Sequence, residues 1–488
     1  MGVNRRRIAY LAALLAASLC GCSKKVSEDA PKRPADVVLV VFDTQRKDRL
    51  SCYGYGRPTS PFIDKVAARG VVFEDATAQS SWTRPSMVSL FSGQYLTEYR
   101  DKLEPETPTL AEAFRDAGYV TIGTTGNMLV SERAGFGRGF HVFDDQRGAA
   151  PEHERRGLGR SVDVLLEDLW HVLDGAFAHR DGEDRPPLFL YIQVMDPHHP
   201  YDAHPQYDEE LPLAGPPAFE PAHWQREMLD KHRGTAPEGD PGHASVWKTM
   251  KRTNRLYDQE VRFADEHIGK LLSGLRKYGI GKKLIVAFAA DHGEGLWDHP
   301  KYKLDERFEE GDPDRYFHRS HGKALHQELI GTPLILAGPG VPVGIRISAP
   351  VENIDLFPTL LELADVASPG DLHGTSLVDL MHGRAPDWRK DVHSFVVECR
   401  SVREFGSQLK LIEPTKLGRE LGVPTQVFSL GEDPAEVREL STEQGAAKER
   451  LSAKIEAWRT DYPTVSNLSR KKSKAEIQDL KALGYLDD

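Results

Sequence analysis

Five runs of almost unbroken apolar residues recur along the chain. They are Asp36–Phe42 (DVVLVVF), Val120–Thr124 (VTIGT), Leu188–Val194 (LFLYIQV), Leu284–Ala289 (LIVAFA) and Pro333–Ala337 (PLILA). A strand with one wet face alternates polar and apolar residues, whereas these runs need cover on both faces, as strands of parallel sheets do. Helical segments separate them. Pro61–Arg69 and Pro108–Ala117 are two. The longest, Thr253–Tyr278, carries Tyr257, Val261, Ala264, Ile268, Leu271 and Leu275 at a helical rhythm and stops at Gly279. Strands alternating with helices predict an α/β fold, a mainly parallel sheet with helices on both faces.

Two stretches interrupt the alternation. Pro205–Lys248 is rich in Pro, Gly and charge and reads as an inserted excursion; His299–Arg319 is dense in both charge signs. Long loops of this kind serve as lids or linkers. From about Trp388 the pattern changes. Short runs at His393–Glu398, Gln408–Ile412 and Gln426–Leu430 precede a helical segment, Thr442–Trp458, which predicts a small antiparallel sheet with a helix packed on it. No internal repeat is present.

The first residues are of another kind. Arg5, Arg6 and Arg7 precede an apolar stretch, Ile8–Leu19, that is too short to span a bilayer and reads as a signal peptide. It ends in Leu19-Cys20-Gly21-Cys22, which resembles the bacterial lipobox. On that resemblance Cys22 is the lipidated first residue of the mature protein, anchored in the cell envelope, with a weak lean to the outer membrane because Ser23 follows it. The polar stretch after it reads as a tether. The organisation is then residues 1–22 signal peptide, 23–35 tether, 36–388 main domain and 389–488 C-terminal subdomain. Two cysteines are left, Cys52 and Cys399; one disulfide or two buried thiols both suit an exported chain. The net charge of -11 argues against nucleic acid as a partner. The oligomeric state is left open.

Three of the apolar runs deliver metal-binding or proton-moving groups at their ends. The first ends at Asp43. The third leads into Asp196-Pro197-His198-His199-Pro200-Tyr201, and the fourth into Asp291-His292-Gly293-Glu294. Ligands of open parallel sheets bind beyond the carboxyl ends of the strands, so the three ends predict one convergent site. Asp and neutral His suit Zn²⁺ or Mn²⁺, and carboxylates with few imidazoles lean toward Ca²⁺ or Mg²⁺. Ser80–Gly93 (SSWTRPSMVSLFSG) places Thr83 where a helix N-cap stands, with Pro85 in the first turn, Met87, Leu90 and Phe91 on one face and Gly93 as the stop. A helix N-terminus favours an anion, and a hydroxyl beside a divalent ion can attack phosphorus or sulfur. Taken alone, a threonine at an N-cap is mostly a simple cap.

These segments resemble the sulfatase family of the alkaline phosphatase superfamily. The resemblance is carried by Asp43-Thr44-Gln45-Arg46-Lys47-Asp48 with Ser51-Cys52-Tyr53-Gly54-Tyr55, by Phe62-Ile63-Asp64-Lys65 and Ala68–Phe73, by Ser80–Gly93 at the nucleophile segment, and by Asp291-His292-Gly293-Glu294. Gly338-Pro339-Gly340, Asn353–Leu360, Val427–Leu430, Asp433–Glu436 and Leu483-Gly484-Tyr485 continue it in order. It implies an alkaline-phosphatase-like three-layer sandwich and one or two divalent ions (Zn, Mn or Ca).

The sequence departs from the family at the nucleophile. Typical members carry Cys or Ser there, oxidised to formylglycine, with an Arg four residues on. Here Thr83 and Met87 occupy those positions, Thr44 replaces the second Asp of a pair, and His292 replaces Asn. Threonine cannot become formylglycine, so none is expected. The changes resemble superfamily members that use Thr directly, and the metal set carried over is Asp43, Thr83, Asp291 and His292. By the same resemblance His198 meets the substrate and protonates the leaving group, and Lys323 holds non-bridging oxygens. His321 and Asn127 are further substrate-binding candidates that could equally be loop residues. Three functions fit: a hydrolase of sulfate or phosphate esters of small molecules, glycans or lipids, with phosphorus favoured by Thr83; a phospho-headgroup transferase, ranked lower because such enzymes often carry membrane helices; and a catalytically silent binding lipoprotein.

Overall fold

Strand β1 (Asp36–Phe42) is buried along its whole length, as an apolar run at the centre of a two-faced sheet must be. The computed structural model describes residues 34–145, 159–177, 185–212, 222–233, 241–301 and 305–464. The signal segment, Cys22, nearly all of the tether and the final Leu483-Gly484-Tyr485 lie outside them. After β1 come β2 (Gly70–Thr77), β3 (Val120–Thr125), β4 (Val142–Asp144), β5 (Leu188–Val194) and β6 (Leu284–Ala290). A hairpin of β7 (Leu296–Pro300) and β8 (Phe317–Arg319) follows, then β9 (Gly331–Ala337), β10 (Ile345–Ile347) and β11 (Val351–Glu352). The main sheet runs β10-β2-β9-β6-β1-β5-β3-β4, with β11 also on β2.

The sheet is mostly parallel, and β1 lies parallel between β5 and β6. One of the five apolar runs departs from the parallel pattern: β9 is antiparallel to both neighbours, β2 and β6. An apolar run fixes burial, and burial does not depend on strand direction. Strand β2 itself has no plain sequence signal, because Glu74 and Asp75 interrupt it. They coincide with a register shift between Phe73 and Ala76, and their carboxylates pair with Arg346 and Arg403.

Alternate residues of β1 feed two cores. Val38, Val40 and Phe42 pack toward helices Val162–Phe177 and Pro241–Gly274; Val37, Leu39 and Val41 pack toward helices Thr83–Ser92, Leu110–Asp116 and Leu356–Leu363. This is the alkaline-phosphatase-like three-layer α/β arrangement. The excursion Pro205–Lys248 is not simply a loop: it contains helix His223–Arg233, and the long helix already begins at Pro241. Leu229, Val246 and Met250 from these helices close over Trp297 and Phe317 of the hairpin, a small core that the Pro, Gly and charge of the stretch conceal. The charged stretch His299–Arg319 ends in the hairpin strands.

A second sheet, antiparallel throughout, has the order β12 (Asp391–Phe395), β13 (Cys399–Glu404), β14 (Leu409–Pro414) and β15 (Gln426–Ser429). Helix Gly445–Asp461 packs on it through Leu451 and Ile455 against Val402, Leu411 and Val427. Strand β13 escapes notice in the sequence because Arg400, Arg403 and Glu404 break its apolar character. Cys52 and Cys399 are free thiols. Among the described residues no helix is long and apolar enough to cross a membrane.

Candidate active site

The in-register pairing of Phe42 with Ala290 brings the next residues of both strands, Asp43 and Asp291, side by side. The Asp43 amide donates to the Val194 carbonyl and the Asp291 amide to the Phe42 carbonyl, so the ends of β1, β5 and β6 are tied together. Asp43, Asp291 and His292 are fully buried, and each offers a ligand atom within 4.8 Å of the others. His292 Nε2 lies 3.6 Å from Asp291 Oδ2 and 3.9 Å from Asp43 Oδ1.

Each group is held by its neighbours. The amides of Thr44 and His292 donate to Asp291 Oδ1 at 3.2 and 2.7 Å, and Gln193 Nε2 reaches Asp291 Oδ2 at 3.4 Å. Asn127 Nδ2 donates to Asp43 Oδ2. His292 Nδ1 lies 2.9 Å from the Gly293 carbonyl, which can only accept; that contact puts the proton on Nδ1 and turns the Nε2 lone pair toward the carboxylates. Asp43 Oδ1 is buried without a hydrogen-bond partner. Burial, then the charge of Asp291, pushes the Asp43 carboxyl well up; burial pushes Asp291 up to about 7 and His292 down. Two carboxylates and an imidazole crowded out of water favour their neutral forms, and a cation among them reverses that preference. The orphaned carboxylate oxygen and the aimed Nε2 lone pair fit a divalent ion.

Thr83 is at this cluster. Its Oγ1 lies 3.2 Å from His292 Nε2, and it is fully buried. It is not the N-cap, however: Trp82 is, and Thr83 is the first helical residue, so its hydroxyl is turned to His292 rather than back onto its own helix. Ser86, one turn on, donates to the Asp291 carbonyl at 2.5 Å and fixes the helix start against the strand end. Pro85 lies in the first turn and Gly93 closes the helix at φ 65°. Met87 is fully buried in the apolar core, so that position supplies no charge to the site.

The histidines form a row. His321 stacks obliquely on His292 at 4.4 Å between ring centres, and His198 meets His321 at 5.0 Å. His321 Nδ1 is 3.0 Å from Glu294 Oε1. His198 Nδ1 faces the His199 carbonyl, which leaves its Nε2 buried, unpartnered and without a proton. Burial, then the His321 charge, holds His198 well below the usual imidazole range. Lys323 is placed differently: its side chain is exposed and makes no hydrogen bond or ion pair among the described residues. The structure therefore brings Asp43, Thr83, Asp291, His292, His198, His321 and Asn127 together and leaves Lys323 at the surface.

Glu294 and Gln193 touch the cluster and are not among the site residues expected from sequence. Glu294 is fully buried, pairs with His321 and accepts from the Tyr201 hydroxyl at 3.2 Å. A signal existed for both: Glu294 stands in the Asp291-His292-Gly293-Glu294 run, and Gln193 is the one amide in an otherwise apolar strand. Gly293 in the same run is required by space. A Cβ there would stand 1.9 Å from the Glu328 carbonyl oxygen, and its amide donates to the Leu329 carbonyl at 2.7 Å.

A mostly parallel sheet with two carboxylates, an imidazole and a hydroxyl converging at its strand ends defines an alkaline-phosphatase-like fold with a candidate metal site. Within that class the chain belongs to the sulfatase family: the Sulfatase family model matches residues 35–366. The model for the N-sulphoglucosamine sulphohydrolase C-terminal region matches residues 316–461. The chain is 24% identical to arylsulfatase K of Danio rerio over 86% of this chain and 83% of that one. It is 23% identical to N-acetylglucosamine-6-O-sulfatase of Bacteroides thetaiotaomicron over 86% of this chain and 81% of that one. In fold it is similar to the phosphonate monoester hydrolase of Agrobacterium radiobacter, with TM-score 0.65, 19% identity and coverage of 88% of this chain and 96% of that one.

Proposed function

We propose that the chain is an ester hydrolase of the sulfatase family that uses the Thr83 hydroxyl directly as nucleophile, preferring phosphorus esters to sulfate esters, and that it works in the cell envelope from a lipid anchor on Cys22. The observation that carries this reading is the Thr83 hydroxyl, 3.2 Å from His292 Nε2 within the Asp43, Asp291 and His292 group. Oxidation at Cβ would turn threonine into a ketone, so the aldehyde hydrate of formylglycine chemistry has no source at this position.

A divalent ion held by Asp43, Asp291 and His292 would supply charge neutralisation for the anionic ester and a lowered pKa for a neighbouring hydroxyl. This chain's residues then do the following. The positive end of the dipole of helix Thr83–Ser92 favours an anion beside the nucleophile. Thr83 Oγ1 gives its proton to solvent and forms a bond to phosphorus as the bond from phosphorus to the ester oxygen breaks; it takes a proton back from solvent when the ester intermediate is hydrolysed. His198 Nε2, buried without a hydrogen-bond partner, takes a proton from solvent as an anionic substrate raises its basicity, and passes it to the leaving oxygen. The same Nε2 then takes a proton from the water that releases Thr83 from the ester intermediate. His321, braced by Glu294, keeps the His198 ring in place.

The test is a panel of aryl phosphodiester, phosphonate monoester, phosphate monoester and sulfate ester substrates with the purified metal-loaded protein. Turnover of a phosphorus ester at least tenfold faster than of the sulfate ester supports the reading, and the reverse order overturns the preference for phosphorus. The similarity to a phosphonate monoester hydrolase and to glycan sulfatases motivates both halves of the panel. For the anchor, Cys22→Ala is expected to move the protein from the membrane fraction to the soluble one; an unchanged distribution removes Cys22 from the proposal.

A further inference from the structure

A second group of metal-ligating side chains lies outside the strand-end cluster. His299, in β7, meets His326 and Glu328 from the turn that precedes β9, and the three ligand atoms lie within 4.8 Å of one another. His299 is 6% and His326 4% exposed. The two rings stack at 3.8 Å between centres with planes 17° apart, and His299 Nε2 is 3.2 Å from Glu328 Oε2. His326 Nε2 is buried and has no hydrogen-bond partner. Both rings line a cavity of about 260 Å³ whose other walls include Trp224, Phe428 and Glu436.

The ordinary account is a histidine–carboxylate bond with a second imidazole packed on it. It leaves His326 Nε2 buried and unsatisfied, which is destabilising. A metal ion would satisfy it. Two imidazoles and one carboxylate are a donor set for Zn²⁺ and neighbouring transition metals, with the remaining position facing the cavity. The surroundings are built to suit it. Glu436, on the cavity wall, is held by the Gln327 amide and by Lys410 Nζ at 2.7 Å, so its charge is already balanced. The Phe428 ring stands edge-on to His326 and limits water.

We infer that His299, His326 and Glu328 bind a transition-metal dication, Zn²⁺ in the first instance, that joins the β7–β8 hairpin to the turn before β9. The site is separate from Thr83 chemistry and does not depend on it. The Gly293 contact with Glu328 and Leu329 makes that turn a neighbour of the strand-end cluster, so a clamp here steadies the active site from behind.

Full-length protein stripped with a chelator and reloaded with Zn²⁺ tests it by metal analysis, with Co²⁺ absorption as the spectroscopic probe. Asp43→Asn/Asp291→Asn protein, its strand-end carboxylates neutralised, is expected to retain one zinc per chain and a Co²⁺ visible spectrum. His326→Gln or His299→Gln added to it is expected to abolish both. Retention of the ion by both histidine variants, or no ion in the Asp43→Asn/Asp291→Asn protein, overturns the site. Should that protein fail to fold, His326→Gln alone is compared with wild type: a loss of one zinc per chain supports the site and equal content overturns it.

Discussion

Thr83→Ala is expected to reduce kcat by about 10³-fold or more while the protein keeps its bound metal and its fold. The loss is large because, on the proposed mechanism, this hydroxyl is the atom that forms the new ester bond. His292 Nε2 is 3.2 Å away, but its lone pair is committed to the metal-binding group, and Ser86, the next hydroxyl along the helix, donates to the Asp291 carbonyl. Stability should change little: one hydroxyl bond is worth about 1 kcal/mol, and alanine is a good helix former at the same position. Thr83→Ser keeps the hydroxyl on the same Cβ and is expected to keep a measurable fraction of the rate. The measurements are kcat, metal content and thermal midpoint on the three proteins. Full activity in Thr83→Ala removes Thr83 as nucleophile. Loss of metal together with activity makes it chiefly a ligand.

The strand-end part of this site is legible in the sequence for a physical reason. A strand buried on both faces carries almost only apolar side chains, so the first acidic residue after it marks where the strand leaves the core. Asp43 and Asp291 stand at such points, and the register of β1 with β6 does the rest. What sequence cannot carry is direction and rotation. The run in β9 shows its burial and not that it lies antiparallel to β2 and β6. Thr83 is one residue off the cap, and that single step turns its hydroxyl from helix capping to His292. His321 and Lys323 stand two apart in one turn, yet His321 is buried against His292 and Lys323 is exposed. Glu74 and Asp75 hide β2 because their charges are met by arginines distant in sequence.

The seam between the two sheets is the other place where one residue should matter greatly. Arg389→Met is expected to cost about 3–5 kcal/mol, the usual penalty for removing one partner of a buried charge group. Arg389 lies just before β12 and reaches back to two fully buried carboxylates, Glu352 and, at 2.6 Å, Asp355. Tyr95 Oη and the His393 amide also donate to Glu352, and the Thr375 and Glu352 amides to Asp355, but none of these carries a charge. Burial already raises both carboxyls above their ordinary values, with Arg389 opposing it. Without the guanidinium they rise further, and this sets the sign of the pH dependence. A carboxyl raised in the folded state contributes fully below its unfolded value, about 4, and loses that contribution as pH climbs through the folded value. The deficit of Arg389→Met should therefore be smaller at about pH 5 than at about pH 8. The effect should also reach the active site. Between the two acids Asn353 donates from Nδ2 to the Ala290 carbonyl at 2.8 Å, one residue before Asp291. Chemical denaturation at both pH values and kcat on the same samples check the chain of contacts; a deficit that does not change with pH would mean that Glu352 and Asp355 are charged to the same extent with and without Arg389, and that the variant fails through lost packing alone.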